Sequence, residues 1–238
     1  MADFAAVMNV NLRQSTRAKI LEHLFSGQLN PGERLVERTL AQKLGVSRIP
    51  LRETMAQLMT QGVLVREKEG GSVRARNYSA EDARQVFELR EAIEVGAARA
   101  ACQRASQSDL LRLEVICEQM SAQVGNYGSP VWMALDKAFH EAIIAASHND
   151  RFIQDYDILI AETHVLFYRL PSQLRRSDVD PDWIVQHMGS VVESHVALAR
   201  MIRSGDVERS ETLIREHIQT AGAYVIRAIL ERELRGNE

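Results

Sequence analysis

Apolar spacing changes character at Asn77, and that break restricts the fold more than any other feature of the chain. Ahead of it lie short helical runs punctuated by Gly and Pro. Ala18, Ile20, Leu21, Leu24 and Phe25 recur at helical spacing up to Gly27, Pro31 and Gly32 make a turn, and a second short helix runs through Leu35, Leu40, Ala41 and Leu44 to Gly45. Ser47 is placed to cap a third helix through Leu51, Met55, Leu58 and Met59, with Pro50 tolerated in its first turn. Two short helices joined by a few residues make a helix-turn-helix. Residues 63–66 and 72–76, with Gly70 and Gly71 at the tip between them, read as a two-stranded wing.

Beyond Asn77 long amphipathic helices take over, and no strand is expected. Helices are predicted over 79–104, 108–124, 129–147, 150–170, 180–204 and 206–235, with Ser79, Ser108 and Ser129 as caps and Gly205 as the break between the last two. The polar stretch 171–179 is expected to be a loop. The fold expected is therefore mainly α: a winged helix-turn-helix over 1–76, then an all-α bundle of six or seven antiparallel helices over 77–238.

Composition fits two modest cores, at 45% hydrophobic residues in 238. The net charge of −3 hides an asymmetry: residues 1–76 hold 12 Lys and Arg against 7 Asp and Glu, net +5, leaving 17 against 25 for the rest, net −8. A basic head on an acidic body suits a head that meets phosphates. Cys102 and Cys117 sit inside helical segments and read as small buried apolar residues rather than a disulfide framework. With no signal-like start and no apolar window of membrane length, the chain is expected to be soluble, cytoplasmic and without a membrane partner.

Arginines in the first turn of a recognition helix reach base edges in the major groove, while neighbouring elements hold phosphates. Arg48 and Arg52 lie four apart, hence on one face, and a guanidinium fork matches guanine O6 and N7. Arg38 on the preceding helix is within reach of a phosphate or base, Ser47 offers a hydroxyl, and Gly70 and Gly71 let backbone approach the minor groove. An ordinary solvated arginine face is the alternative. The run PGERLVERTLAQKLGVSRIPLRETMAQLMTQGVL, followed by GGSV, resembles the winged-helix signature of the GntR family of regulators. Carried over by position, the family's DNA contacts fall on Arg38, Ser47, Arg48, Arg52, Gly70 and Gly71. Leu51 and Met55 depart mildly from the usual valine and leucine.

In the helical half, Asp136 and His140 are four apart and project from one face, while His195 and His217 lie on apolar stripes of two later helices. A carboxylate facing a core needs a partner, and a divalent cation is one. Hydrogen-bonded core histidines are the alternative. Three nitrogens and one oxygen suit zinc first, with nickel or another first-row ion next, and leave positions open for water or an oxygen ligand. Through FELREAIEVGAARAA, LDKAFHEAIIAASHN and SHVALARMIRSGDVERSETLIREH this half resembles the FCD-type sensor domain of the FadR subfamily within the GntR group. The resemblance implies metal ligands at Asp136, His140, His195 and His217, and a small carboxylate metabolite as effector. It also implies an effector-binding guanidinium at Arg90, whose alternative is a surface ion pair.

The sequence thus points to a metabolite-responsive regulator that binds a short palindromic operator in double-stranded DNA as a homodimer, with repression relieved by ligand as the sign the family implies. Two rivals stand beside it. A metalloenzyme on the Asp/His site lacks a separate general base and leaves the helix-turn-helix unexplained, and an architectural DNA-binding protein with a structural metal predicts no metabolite response.

Overall fold

A computed structural model describes residues 15–24, 28–68, 71–126, 129–166 and 181–235. Gly70, the predicted loop 171–179 and the last residues of the helix expected to run to 170 lie outside them. The chain divides into two compact units, Met1–Ser79 with Ile160–Arg169, and Ala80–Leu159 with Leu170–Glu238.

In the first unit α1 covers residues 15–24, and it is followed by β1 (Arg34–Leu35), α2 (Glu37–Leu44), α3 (Arg48–Thr60), β2 (Leu64–Arg66) and β3 (Val73–Ala75). Its core joins Ile20 and Leu24 of α1 to Leu40 and Leu44 of α2, Leu51 and Leu58 of α3, and Leu64 and Val73 of the sheet. Leu35 was expected in the second helix and is instead a strand residue. The sheet has three strands rather than two, in the order β1-β3-β2, antiparallel, with Arg34 opposite Arg74 and Leu64 opposite Ala75. The Pro31-Gly32 turn sends the chain back along β3, where Gly32 N–H donates to Ala75 O and Ala75 N–H to Glu33 O, so Arg34 and Leu35 are already spoken for when α2 starts. Gly45 ends α2 in the left-handed region at φ 63°.

A second difference lies at the start of α3. Ser47 is the N-cap residue in extended conformation, but its side chain makes no capping bond. Pro50 contributes to this: it occupies the third helical position and so withdraws one of the two N–H groups that a capping serine can bond.

The second unit contains α4 (Ala80–Arg104), α5 (Gln107–Ser121), α6 (Pro130–Ala146), most of α7 (Asp150–His164), α8 (Pro181–Ser204) and α9 (Val207–Arg235). α4 packs against α9 and α6, α5 against α6 and α8, and α8 against α9. Close approach of α4 and α9 depends on Gly222, where an added Cβ would stand 3.0 Å from the Phe87 ring. α5 begins at Ser106 rather than the expected Ser108, because Ser106 and Asp109 form a reciprocal capping box. Asn149 caps α7, accepting from Arg151 N–H at 3.1 Å. Gly205 stops α8 at φ 72° and Asp206 starts α9, its side chain accepting from Arg209 N–H. Trp132 and Phe139 of α6 are fully buried, and Cys117 is buried. No described helix is long and apolar enough to cross a membrane.

Candidate functional site

In the first unit, Arg38, Ser47 and Arg48 line one shallow surface depression with Gln42 and Gly45, at the junction of α2 and α3. Arg48 and Arg52 stand out from α3 with 63% and 66% of their side chains exposed, so both are available to a macromolecule. They converge on Glu37 of α2. Arg52 donates from Nη2 to Oε2 at 2.8 Å and from Nε to Oε1 at 3.2 Å, and Arg48 Nη2 lies 3.7 Å from Oε2. The hydrogen bond from Arg52 holds the Glu37 carboxyl below its ordinary range. At the wing, Gly71 N–H closes a tight turn onto Lys68 O at 2.7 Å; a Cβ there would stand 3.0 Å from that carbonyl oxygen, so a side chain would have to push it back by a few tenths of an ångström.

In the second unit, Asp136, His140, His195 and His217 lie together: one ligand atom from each is within 4.8 Å of the others. α6 supplies Asp136 and His140 one turn apart, and α8 and α9 supply the other two. The imidazole centroids are 5.5 Å apart for His140 and His195, 5.2 Å for His140 and His217, and 4.5 Å for His195 and His217. Phe139 packs edge-on against His195 at 4.6 Å and His140 at 5.7 Å, closing the cluster with an apolar wall.

Hydrogen bonds fix the protonation of all three rings. His140 Nδ1 is 2.6 Å from Glu94 Oε2. Burial pushes the Glu94 carboxyl up, but Arg90 and His140 beside it pull harder and hold it at about 2. An ionised carboxylate can only accept, so His140 Nδ1 carries hydrogen. His195 Nδ1 faces Val191 O at 2.7 Å, and a carbonyl likewise only accepts. Ser194 spends its one O–H on the same carbonyl at 2.7 Å, so its oxygen must accept from His217 Nδ1 at 3.2 Å. In its neutral form each ring therefore keeps its lone pair on Nε2. The Nε2 atoms of His140 and His195 are buried without a hydrogen-bond partner; the nearest acceptor, Asp136 Oδ1, is 4.0 Å and 3.4 Å away.

Charge follows the same pattern. Burial acts to raise the Asp136 carboxyl, but the contact with His195 and the charges of His140 and Arg90 outweigh it and leave Asp136 well below the ordinary carboxylate range. Burial and the neighbouring His195 and His140 push His217 well below the usual imidazole value, so it stays neutral. An ionised carboxylate beside imidazoles whose Nδ1 hydrogens are engaged elsewhere, with the Nε2 atoms of His140 and His195 free of any hydrogen bond, is what a first-row divalent cation binds. The residues fit a metal ion.

Arg90 was expected either at the effector or in a surface ion pair. It is 4% exposed, and its Nε donates to Glu94 Oε1 at 2.6 Å. It reaches the cluster at one remove, because the other oxygen of the Glu94 carboxylate takes His140 Nδ1.

The first unit matches the family described as bacterial regulatory proteins, gntR family, over residues 12–74, and the second matches the FCD domain over residues 85–220. The chain belongs to the gntR family of regulators and carries an FCD domain. The chain spans less than two thirds of the first of the curated relatives it matches, and those relatives are named as transcriptional regulators. It is 35% identical over 130 residues to the Nta operon transcriptional regulator of Aminobacter aminovorans, a stretch covering 54% of this chain and 60% of that one. Its similarity to the HTH-type transcriptional regulator YcbG of Bacillus subtilis is 26% over 229 residues and 90% of each chain. Among solved structures, E. coli McbR/YncC shares the fold at a TM-score of 0.73 and 19% identity, over 91% of this regulator and 97% of that chain.

Four residues of these sites escaped the sequence reading: Glu37, Glu94, Tyr156 and Ser194. For Glu94 a signal existed. It stands one turn after Arg90 on a helix face otherwise made of Ile93, Ala97 and Ala98, and a charge there needs a partner.

Proposed function

We propose that this regulator binds a short inverted-repeat operator as a homodimer, holds a divalent ion on Asp136, His140, His195 and His217, and takes a small carboxylate metabolite that relieves repression. One observation carries the sensor half: three imidazoles whose Nδ1–H groups are all engaged outward, with Nε2 left for the space beside Asp136. The ion would supply positive charge and open positions for carboxylate oxygens. Arg90, held behind the cluster on Glu94, adds positive charge for the same anion. Zinc suits this donor set best, with nickel next.

On the DNA side Arg48 and Arg52 read base edges, while Arg38, Ser47 and the wing turn at Gly70 and Gly71 hold the backbone. Pairing through the helical unit is supported by Leu111 and Val115, exposed apolar residues one turn apart on α5, which a two-fold contact would cover. Effector binding that favours one arrangement of the dimer over another shifts DNA affinity by no more than its differential affinity for the two.

The test is a thermal melt of zinc-loaded protein against sugar acids, hydroxy acids, dicarboxylates and fatty acids, repeated on an Asp136→Ala/His195→Ala variant. A carboxylate that raises the midpoint of the parent alone, and releases it from DNA, is the expected result. Stabilisation of both proteins alike would place the effector away from the metal. No response to any carboxylate would leave the ion a structural part.

A further inference from the structure

We propose that Glu94 is the positioning residue of the metal centre: clamped by Arg90 and Tyr156, its carboxylate holds the His140 ring so that Nε2 faces Asp136, His195 and His217. The inference rests on the metal reading above and goes beyond the ligands themselves.

The two oxygens of Glu94 are divided. Oε1 accepts from Arg90 Nε at 2.6 Å and from Tyr156 Oη at 3.2 Å, while Oε2 accepts from His140 Nδ1 at 2.6 Å. A purely structural ion pair would be satisfied by the guanidinium fork on both oxygens. Here Arg90 engages Oε1 through Nε, and the second oxygen is kept for the imidazole. All of this takes place out of water, with Glu94 0% and His140 1% exposed.

The other two rings are supported differently. His195 leans on a carbonyl of its own helix, and His217 on the hydroxyl of Ser194. His140 is the ring backed by a charge, and that charge comes from α4, 46 residues away in sequence. A carboxylate behind an imidazole fixes its tautomer and orientation and makes Nε2 a stronger donor, and losing such a partner costs about 10- to 100-fold in metal affinity. Tyr156 and Arg90 act one step further out, holding the carboxylate that holds the ring.

The test uses the full chain. Zinc is titrated in competition with a chromogenic chelator for the parent, Asp136→Ala, Glu94→Gln and Tyr156→Phe, and the tautomer of His140 is read by nitrogen-15 NMR in metal-free parent and variants. The expected result is one zinc in the parent lost with Asp136→Ala, affinity weakened about 10- to 100-fold in Glu94→Gln and less in Tyr156→Phe, and a His140 proton on Nδ1 that becomes divided between the nitrogens in Glu94→Gln. Parent zinc affinity retained by a folded Glu94→Gln would overturn the proposal while leaving the metal reading intact. Absence of zinc binding in the parent overturns the metal reading, and this proposal with it. Should Glu94→Gln fail to fold, Tyr156→Phe and the parent tautomer still decide: unchanged affinity with His140 protonated at Nε2 rules the role out, because a merely structural buried pair would move the melting point and neither of these.

Discussion

Glu37 of α2 takes the Nε edge of Arg52 on α3, with Nη2 at 2.8 Å and Nε at 3.2 Å, so an acid on one helix sets the direction of an exposed arginine, proposed above to read bases, on the next. Both side chains are solvent-exposed in part, and the pair adds little to stability. Its consequence is for recognition. Replacing Glu37 with glutamine loosens Arg52 and removes a negative charge beside the arginines proposed to meet DNA. Affinity for an operator selected from random duplexes is expected to fall relative to unselected DNA by about tenfold, in the range of one bidentate base contact, while non-specific binding rises slightly. Fluorescence anisotropy competition between the two duplexes measures the ratio. Equal strengthening on both would mean that Glu37 only repels the backbone.

Ser47 stands where a cap belongs without acting as one, and Pro50 at the third helical position has no N–H to offer it. Substitution by alanine therefore spares the stability that an N-cap exchange ordinarily costs, about 1 kcal/mol. Ser47→Ala is expected to melt within a degree or so of the parent and yet bind DNA several-fold more weakly, through loss of a hydroxyl available to phosphate. A drop in melting temperature of several degrees would show that the hydroxyl caps α3 after all.

Gly62 ends the turn after α3 at φ 72°, and a Cβ on it would come within 2.5 Å of Glu162 Oε1. That oxygen also receives Arg76 Nη1 at 3.0 Å and Tyr78 Oη at 3.2 Å. Alanine at Gly62 brings two separable penalties, the left-handed backbone, about 1–2 kcal/mol, and displacement of the Glu162 carboxylate. Chemical denaturation of Gly62→Ala, Glu162→Ala and the double variant distinguishes them: the double variant is expected to recover the steric part and keep the backbone part. Full recovery would assign the whole cost to the carboxylate.

How much of this was legible beforehand depended on whether the signal was local. Gly45, Gly205 and Asn149 end or start helices by their own backbone and side-chain chemistry, and the four-residue interval between Asp136 and His140 guarantees a shared face. Leu35 was misassigned because its ladder partner, Val73, lies far along the chain and a two-residue strand has no period to detect. Ser106 and Ser108 differ as caps only through Asp109, three residues after the first and one after the second. That His195 and His217 meet Asp136 depends on how α8 and α9 pack, which no spacing encodes. Glu94 and Ser194 were passed over because their partners lie on other helices, even though a glutamate amid Ile93, Ala97 and Ala98 marked a place where a partner had to exist.

Asp109 gives a pH dependence whose sign is fixed. Its carboxylate accepts from Ser106 Oγ at 2.6 Å, Ser106 N–H at 2.8 Å and His148 Nε2 at 2.9 Å. These bonds, Ser106 Oγ first, hold its carboxyl below the ordinary 3.8. A carboxyl depressed on folding stabilises fully above its unfolded value, and that contribution disappears as pH falls through the lower folded value. The capping box of α5 is therefore intact at neutral pH and is lost only as pH falls below the ordinary carboxylate range. Asp109→Asn is expected to lower the calorimetric melting temperature of the helical unit by about 2–4 °C at pH 7, the equivalent of roughly 1 kcal/mol for a capping residue. The gap between variant and parent then narrows as the parent's own carboxylate is protonated. A gap that stays constant down to pH 2.5 would mean that the carboxylate's charge plays no part in starting α5, and that its shape alone does.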